Sequence, residues 1–136
     1  MNNVLYTTYR LSDSSRKIVK SKFDLSEYKT IYADHQTIEF FGAKNLHPFN
    51  EREGEEHKIE AIGYLKTDKL ICLVTGKNGE HITVATAEGI SPVTSNTDLK
   101  EYKDKIVYFK QPLTLSSKFH NYIFGESGRK ESWKIL

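Results

Sequence analysis

The chain has 136 residues, of which 38% are hydrophobic and 28% charged, and its formal net charge is +2. This length predicts one domain over residues 1–136, with a single hydrophobic core. No stretch approaches the roughly 18 apolar residues of a membrane span, which argues against a membrane protein, and the small net charge argues against a nucleic-acid wrapper.

The compartment is predicted from the N-terminal segment and the single cysteine. The segment MNNVLYTTYRLSDSSRK has no basic stretch followed by an apolar one, so it does not resemble a secretory signal. Cys72 lies in the apolar run KLICLV, where it cannot form an internal disulfide and where we expect a buried, unreactive thiol. We therefore expect a cytoplasmic protein.

The first part of the chain predicts a strand, a helix and a second strand. NVLYTTYRL alternates apolar and polar residues, as half-buried strands do. Ser12 then suits the N-cap of a helix that carries Ile18, Val19 and Phe23 at helical spacing. KTIYADHQTIEFFG predicts the next strand, and AKNLHPFNEREGEE predicts a loop. The basic residues around the helix predict a solvated face: Arg10, Arg16, Lys17, Lys20 and Lys22.

The remaining sequence predicts a meander of strands. HKIEAIGYLK, KLICLVT and EHITVATA are strand-like, and Asn78-Gly79 between the last two suits a hairpin turn. EGISPVTSNTDLKEY predicts a turn-rich loop and KIVYFK a further strand, whereas residues 112–136 predict no particular element. These elements together predict an α+β fold: a mainly antiparallel, curved sheet with one or two helices packed on its outside.

One three-residue pattern, His-x-Thr, occurs on two of the predicted strands, as His35-Gln36-Thr37 and His81-Ile82-Thr83. Residues i and i+2 of a strand point to the same face, so each histidine projects together with its threonine. If the two strands line one cleft, two imidazoles and two hydroxyls meet there.

Those four groups suit the cleavage of a phosphodiester. An imidazole titrates near pH ~6.5, so one histidine can accept a proton while the other donates one. The threonine hydroxyls can donate hydrogen bonds to the phosphate oxygens and stabilise the charge of the transition state. This chemistry requires no metal and no cofactor. The pattern also occurs by chance, so a structural protein with chance motifs stays an alternative.

The two motifs and their surroundings resemble the 2H phosphoesterase superfamily, which includes LigT-like 2′,3′-cyclic phosphodiesterases and RNA-repair enzymes. The order of VLYTTYRLSDSSRKIV, IYADHQTIEFFG, KIEAIGYLKTDKLICLV and EHITVATAEGISPVTSN is similar to small His-x-Thr domains of that kind, over roughly residues 4 to 99. The resemblance implies a compact variant of the 2H fold. It further implies that His35 and His81 are the acid/base pair and that Thr37 and Thr83 bind the phosphate.

Four more residues are candidates for substrate binding. Tyr6 and Arg10 lie on the first strand and could stack on a base and bind phosphate, although core packing and a solvated cation are the alternatives. Ser95 and Asn96 follow the second motif and could bind a ribose or a base edge, or serve only as turn residues.

The residues favour an enzyme but leave its substrate open. The resemblance implies one of two substrates: a 2′,3′-cyclic phosphate at an RNA end, or a cyclic nucleotide or oligonucleotide signal of the kind that some 2H-like viral proteins destroy to evade bacterial defence. The alternative is a module that binds and sequesters a nucleotide or an RNA end without cleaving it. A metal site among His35, His47, His57 and His81 is disfavoured because no metal-ligand spacing is present. The sequence does not indicate the oligomeric state.

Overall fold

The computed structural model describes residues 2–124 and has an α+β fold with one open, eight-stranded antiparallel sheet. The strand order is β2-β7-β6-β5-β8-β1-β3, and β4 pairs with β1. The predicted class is confirmed. The elements are β1 (Asn2–Leu11), α1 (Asp13–Ser21), β2 (Thr30–Ile31), β3 (His35–Phe40), β4 (His47–Pro48), β5 (Glu56–Lys66), β6 (Leu70–Val74), β7 (His81–Thr86), α2 (Thr94–Glu101) and β8 (Val107–Ile123), with a 3-10 turn at Lys103–Lys105.

The helix α1 begins where the sequence predicts. The Ser12 side chain accepts a hydrogen bond from the backbone N of Ser15 at 3.3 Å, as an N-cap does. Val19, on the inner face of this helix, is fully buried. The prediction of a solvated basic face is wrong for Arg16, which is only 5% exposed. Arg16 is buried because its guanidinium binds the segment that leads into β3.

The two faces of the sheet carry separate hydrophobic clusters. The larger one, called the α1-side core here, includes Val19 of α1 together with Ile71 and Leu73 of β6. The smaller one, the α2-side core, includes Leu99 of α2 together with Cys72 and other residues of β6. Since neighbouring residues of β6 alternate between the clusters, the clusters lie on opposite faces of the sheet.

Helix α2 is not predicted by the sequence, which favours a turn-rich loop over residues 88–102. The helix buries Ser95, Asp98 and Leu99, at the i, i+3 and i+4 positions of one helical face. Only one of these residues is apolar, so the segment lacks the hydrophobic periodicity that marks an amphipathic helix.

The C-terminal part of the described chain forms the longest strand. β8 covers 17 residues and pairs with β5 on one side and β1 on the other. The predicted strand KIVYFK is its beginning, and most of the rest comes from the segment for which the sequence predicted no element. Residues 125–136 lie outside the described part.

Neither helix of the described residues combines the length and the hydropathy that a bilayer crossing requires.

Candidate functional site

The segment that the sequence predicts as one strand, residues 29–42, forms two strands and crosses between two parts of the sheet. β2 pairs with β7, and the backbone N of Ala33 still donates to the carbonyl of Thr83 at 3.0 Å. Ala33 then takes a positive φ of 51°, which turns the chain. The carbonyl of Asp34 accepts from Leu11 N at 2.8 Å, and β3 pairs with β1 from His35 onward.

This crossing brings the two His-x-Thr motifs together. The Ala33–Thr83 hydrogen bond joins chain segments that run antiparallel, as the β2–β7 pairing shows. His35 is two residues after Ala33, and His81 is two residues before Thr83, so both histidines lie on the same side of this bond along the strands. β3 and β7 are in contact. A hydrogen bond of 2.5 Å from Thr75 Oγ1 to Gln36 Oε1 adds a side-chain link between β3 and the end of β6.

The second motif projects from the α2 side of the sheet. His81 is paired with Val74 and Thr83 with Cys72 in the β6–β7 ladder. Val74 and Cys72 belong to the α2-side core. Residues directly opposite in an antiparallel pair share a face, so His81 and Thr83 lie on that side as well.

The first motif lies on the same side. Gln36 is paired with Tyr9, which packs against the α1-side core. His35 and Thr37 flank Gln36 and therefore lie on the opposite, α2-side face. The ring of Tyr6, at a centroid distance of 6.0 Å from the His35 ring, is consistent with this placement. The two imidazoles and the two hydroxyls thus occupy one face of the sheet.

Asp34, the residue before His35, forms a buried ion pair with Arg16 of α1. Arg16 donates from Nη2 to the carbonyl of Tyr32 at 3.1 Å and from Nε to that of Ala33 at 3.3 Å. Its Nη2 also lies 2.9 Å from Asp34 Oδ1. Burial raises the pKa of Asp34 to about 6, against the opposing effect of the Arg16 charge. Arg16 therefore fixes the turn that sets the direction of His35.

The tautomer of neutral His81 is set by its own hairpin. The ring atom Nδ1 lies 2.8 Å from the carbonyl oxygen of Gly79, which can only accept a hydrogen bond. Nδ1 therefore carries the proton. Nε2 of the neutral ring is the atom that can accept one. Gly79 has a φ of +89°, in the predicted Asn78-Gly79 turn, so the same turn that forms the hairpin presents this carbonyl.

Helix α2 supports the threonine of the second motif. The Ser95 hydroxyl is fully buried and lies 2.9 Å from Thr83 Oγ1. Asn96, its neighbour, is exposed and lines a shallow depression on the outer surface of α2. Of the two residues, the structure brings Ser95 to the motif and leaves Asn96 facing away.

Tyr6 and Phe40 extend the face with aromatic rings. Tyr6 is 5% exposed and stacks on Tyr122 at a centroid distance of 4.5 Å. The Phe40 ring also stacks on Tyr6, at a centroid distance of 5.9 Å, and Phe40 is 67% exposed. Tyr6 thus packs within the protein, while Phe40 presents an accessible ring on the strand that carries His35.

Arg10 lies between the first motif and a cleft. It is paired with His35 on one side and with Lys118 on the other. The cleft, of about 730 Å³, begins at Arg10 and Lys118 and extends toward β5. Thr8 is paired with Thr37 and with His120, and it is also on this face. Thr8 lies between Tyr6 and Arg10 in the alternation of β1, so its place on this face could have been predicted from the sequence. The places of Lys118 and His120 could not be predicted without knowing the position of β8.

Two further histidines and the single cysteine lie in other contacts. The His47 ring stacks on Phe41 at 3.7 Å, and the His57 ring stacks on Tyr9 at 3.9 Å. Within residues 2–124, no group of three or more His, Cys, Asp or Glu side chains is arranged to hold a metal ion. Cys72 is fully buried, and burial raises the pKa of its thiol to about 12.

Comparison with models of known protein families finds no match for this chain, and comparison with curated protein sequences finds none either.

Proposed function

We propose that this protein is a phosphodiesterase that hydrolyses a cyclic phosphodiester in a nucleotide-type substrate without a metal ion. The observation that carries the proposal is the backbone hydrogen bond between Ala33 and Thr83, which joins the two antiparallel segments that carry the His-x-Thr motifs. Both motifs lie on the same face of the sheet and on strands that are in contact, as a site that holds one phosphate between them requires.

In the proposed reaction His81 acts as the base and His35 as the acid. Nδ1 of His81 donates to the Gly79 carbonyl, so Nε2 is the atom that accepts a proton from the attacking water. As water oxygen bonds to phosphorus, the bond from phosphorus to one ribose oxygen breaks. Protonated His35 gives its proton to that oxygen, and the product is a phosphomonoester. Exchange with solvent then restores both histidines.

The threonines stabilise the charge on the phosphate. Thr37 and Thr83 donate their hydroxyl hydrogens to the non-bridging oxygens, where negative charge increases in the transition state. The buried Ser95 hydroxyl can donate to Thr83 Oγ1 and so direct the Thr83 hydrogen toward the substrate. Ser95 is therefore a positioning residue in this proposal.

The test is turnover of a substrate panel in the presence of EDTA. The panel contains 2′,3′-cyclic mononucleotides, 3′,5′-cyclic mononucleotides, cyclic di- and trinucleotides, and an oligoribonucleotide that ends in a 2′,3′-cyclic phosphate. We expect cleavage of at least one compound, with a bell-shaped pH–rate profile. His35→Ala and His81→Ala should each abolish it, and Thr37→Val and Thr83→Val should each lower kcat by about 10- to 1000-fold.

His47→Ala is the matched control, because His47 lies on β4, which pairs with the opposite end of β1 from the one beside His35. This variant should turn over substrate at the wild-type rate. Turnover that survives in the His35→Ala/His81→Ala double variant would refute the proposal. Recovery of an intact compound after the protein is denatured, with no cleavage, would instead establish a sequestering module.

A further inference from the structure

A row of ionisable side chains crosses four strands and begins at the proposed catalytic residue His35. Arg10 of β1 is opposite His35 in one ladder and opposite Lys118 of β8 in the next. Lys118 is in turn opposite Glu56 of β5. Because directly opposite residues share a face, the order across the sheet is His35, Arg10, Lys118 and Glu56.

The cleft of about 730 Å³ is lined by Arg10, Lys118 and Glu56 of this row, but not by His35. Its volume is in the range of about 300 to 1,000 Å³ that is usual for sites that bind small molecules. Its cationic lining residues are Arg10, Lys58 and Lys118. Lys58 and Lys118 are exposed, and hydroxyls of Ser12 and Ser116 lie beside them.

The acidic lining residues are placed differently. Glu53 lies 2.9 Å from the His120 ring and also accepts from the backbone N of Asn121 at 2.8 Å. Its carboxylate is therefore held by neighbouring groups of the protein. Glu56 is at the β5 end of the row, farthest from His35. Asp13 is the third acidic lining residue, and Glu56 is directly opposite Lys118. Arg10, which is opposite His35, is the cationic lining residue nearest the proposed catalytic groups.

The spacing of the row sets what kind of ligand can use it. Neighbouring strands lie about 4.8 Å apart, so Arg10 is about 5 Å and Lys118 about 10 Å from the strand of His35. A cyclic mononucleotide has one phosphate, which the two threonines bind and the two histidines act on in the proposed reaction. A second phosphate, one nucleotide away along a chain, would lie over Arg10 and Lys118. Guanidinium and ammonium groups are the usual protein partners of phosphate.

We infer that Arg10 and Lys118 form a second phosphate site and that the substrate is a phosphodiester-linked oligonucleotide rather than a mononucleotide. This inference rests on the proposed function. The oligonucleotide is either linear, with a 2′,3′-cyclic end, or itself cyclic, since both have a second phosphate next to the one that is cleaved.

The test compares kcat/KM for a 2′,3′-cyclic mononucleotide, a dinucleotide that ends in a 2′,3′-cyclic phosphate and a cyclic trinucleotide. The kcat/KM value for the dinucleotide or for the cyclic trinucleotide should exceed that for the mononucleotide by at least about tenfold. The compound with the higher value shows whether the substrate is a linear or a cyclic oligonucleotide. Lys118→Ala should reduce this preference to within about twofold of unity. Lys110→Ala, a lysine variant on the same strand but outside the cleft, should retain it.

A binding measurement separates failure of the inference from failure of the proposed function. The probe is a fluorescein-labelled trinucleotide of 2′-O-methyl ribonucleotides with a 3′-phosphate. Its affinity should fall by about tenfold in Lys118→Ala. It should also weaken as salt increases, because binding releases counterions and a higher salt concentration makes that release less favourable. If wild type cleaves mono- and oligonucleotides equally well, or Lys118→Ala binds the probe as tightly as wild type, the second phosphate site is refuted. If no substrate is cleaved but the probe binds and depends on Lys118, the site stands without the proposed catalysis.

Discussion

Arg16 and Asp34 form an almost fully buried ion pair, with 2.9 Å between Arg16 Nη2 and Asp34 Oδ1, and Asp34 directly precedes His35 in the chain. The arginine comes from α1, and the aspartate comes from the turn between β2 and β3. Helix α1 is thus linked by a charged contact to the segment that leads into β3. Four predictions concern this pair and the groups around the site.

The buried carboxyl of Asp34 should make stability depend on pH in an unusual direction. Arg16, Arg10 and Lys20 lower its pKa, but burial outweighs them and raises it from 3.8 to about 6. Between these two pH values the folded state holds a proton that the unfolded state has released. The free energy of unfolding should therefore fall as the pH rises through this window.

The measurement is urea denaturation of wild type and Asp34→Asn at pH values from about 3.5 to about 7. This range includes both the ordinary carboxyl pKa of ~3.9 and the raised pKa of Asp34. Stability of the variant relative to wild type should increase across the window. Asp68→Asn, at an exposed position, should follow wild type. A constant difference between Asp34→Asn and wild type would contradict the raised pKa.

Loss of Arg16 should be costly. Arg16→Met removes the donors to two backbone carbonyls and leaves the Asp34 carboxylate buried without its cation, which is worth about 3 to 5 kcal/mol. Thermal and urea denaturation would report the loss. The Arg16→Met/Asp34→Leu double variant should recover part of it, because no charge is then buried alone. A double variant less stable than Arg16→Met would contradict this explanation, because Asp34 would then stabilise the fold even without its cation.

Ser95 should affect the reaction through Thr83. Ser95→Ala removes the hydroxyl at 2.9 Å from Thr83 Oγ1, so the Thr83 hydroxyl can rotate away from the substrate. We expect kcat to fall about tenfold with KM little changed, as for loss of an interaction that acts in the transition state. Asn96→Ala, on the exposed side of the same helix, should keep the wild-type kcat. Equal kinetics for Ser95→Ala and wild type would remove Ser95 from the site.

Cys72 should be inert in the folded protein. Burial raises the pKa of its thiol to about 12, so almost no thiolate exists at neutral pH. A thiol-reactive disulfide reagent should modify it at least about 100-fold more slowly in buffer than in urea. Rapid labelling without denaturant would show that the sheet opens at β6.

Local patterns were sufficient to predict much of the fold. The alternation of β1, the Ser12 cap of α1 and the Asn78-Gly79 hairpin each depend on residues close in sequence, and the structure confirms them. The pattern of His35, Thr37, His81 and Thr83 likewise indicates which side chains share a face on each strand.

The elements that the sequence did not predict depend on distant partners. β8 is a strand because β5 and β1 pair with its two edges. Its second half could have been predicted in part, since Leu113, Leu115 and Phe119 alternate with polar residues, although Ser117 interrupts the apolar series. The break at Ala33 arises because residues 29–40 pair first with β7 and then with β1. Lys118 and the cleft could not be placed without β8, and the burial of Arg16 required the position of Asp34.

The central position of β8 has a consequence for biosynthesis. The strand lies between β5 and β1, so it joins the two parts of the sheet that carry the two motifs, and it follows both motifs in the chain. Pairing over such sequence distances is slow because loop closure must precede it. A nascent chain that ends before Val107 therefore contains every residue of both His-x-Thr motifs but lacks the strand that unites their two parts of the sheet. During translation it exposes two unpaired strand edges, which are the surfaces that chaperones must protect from aggregation.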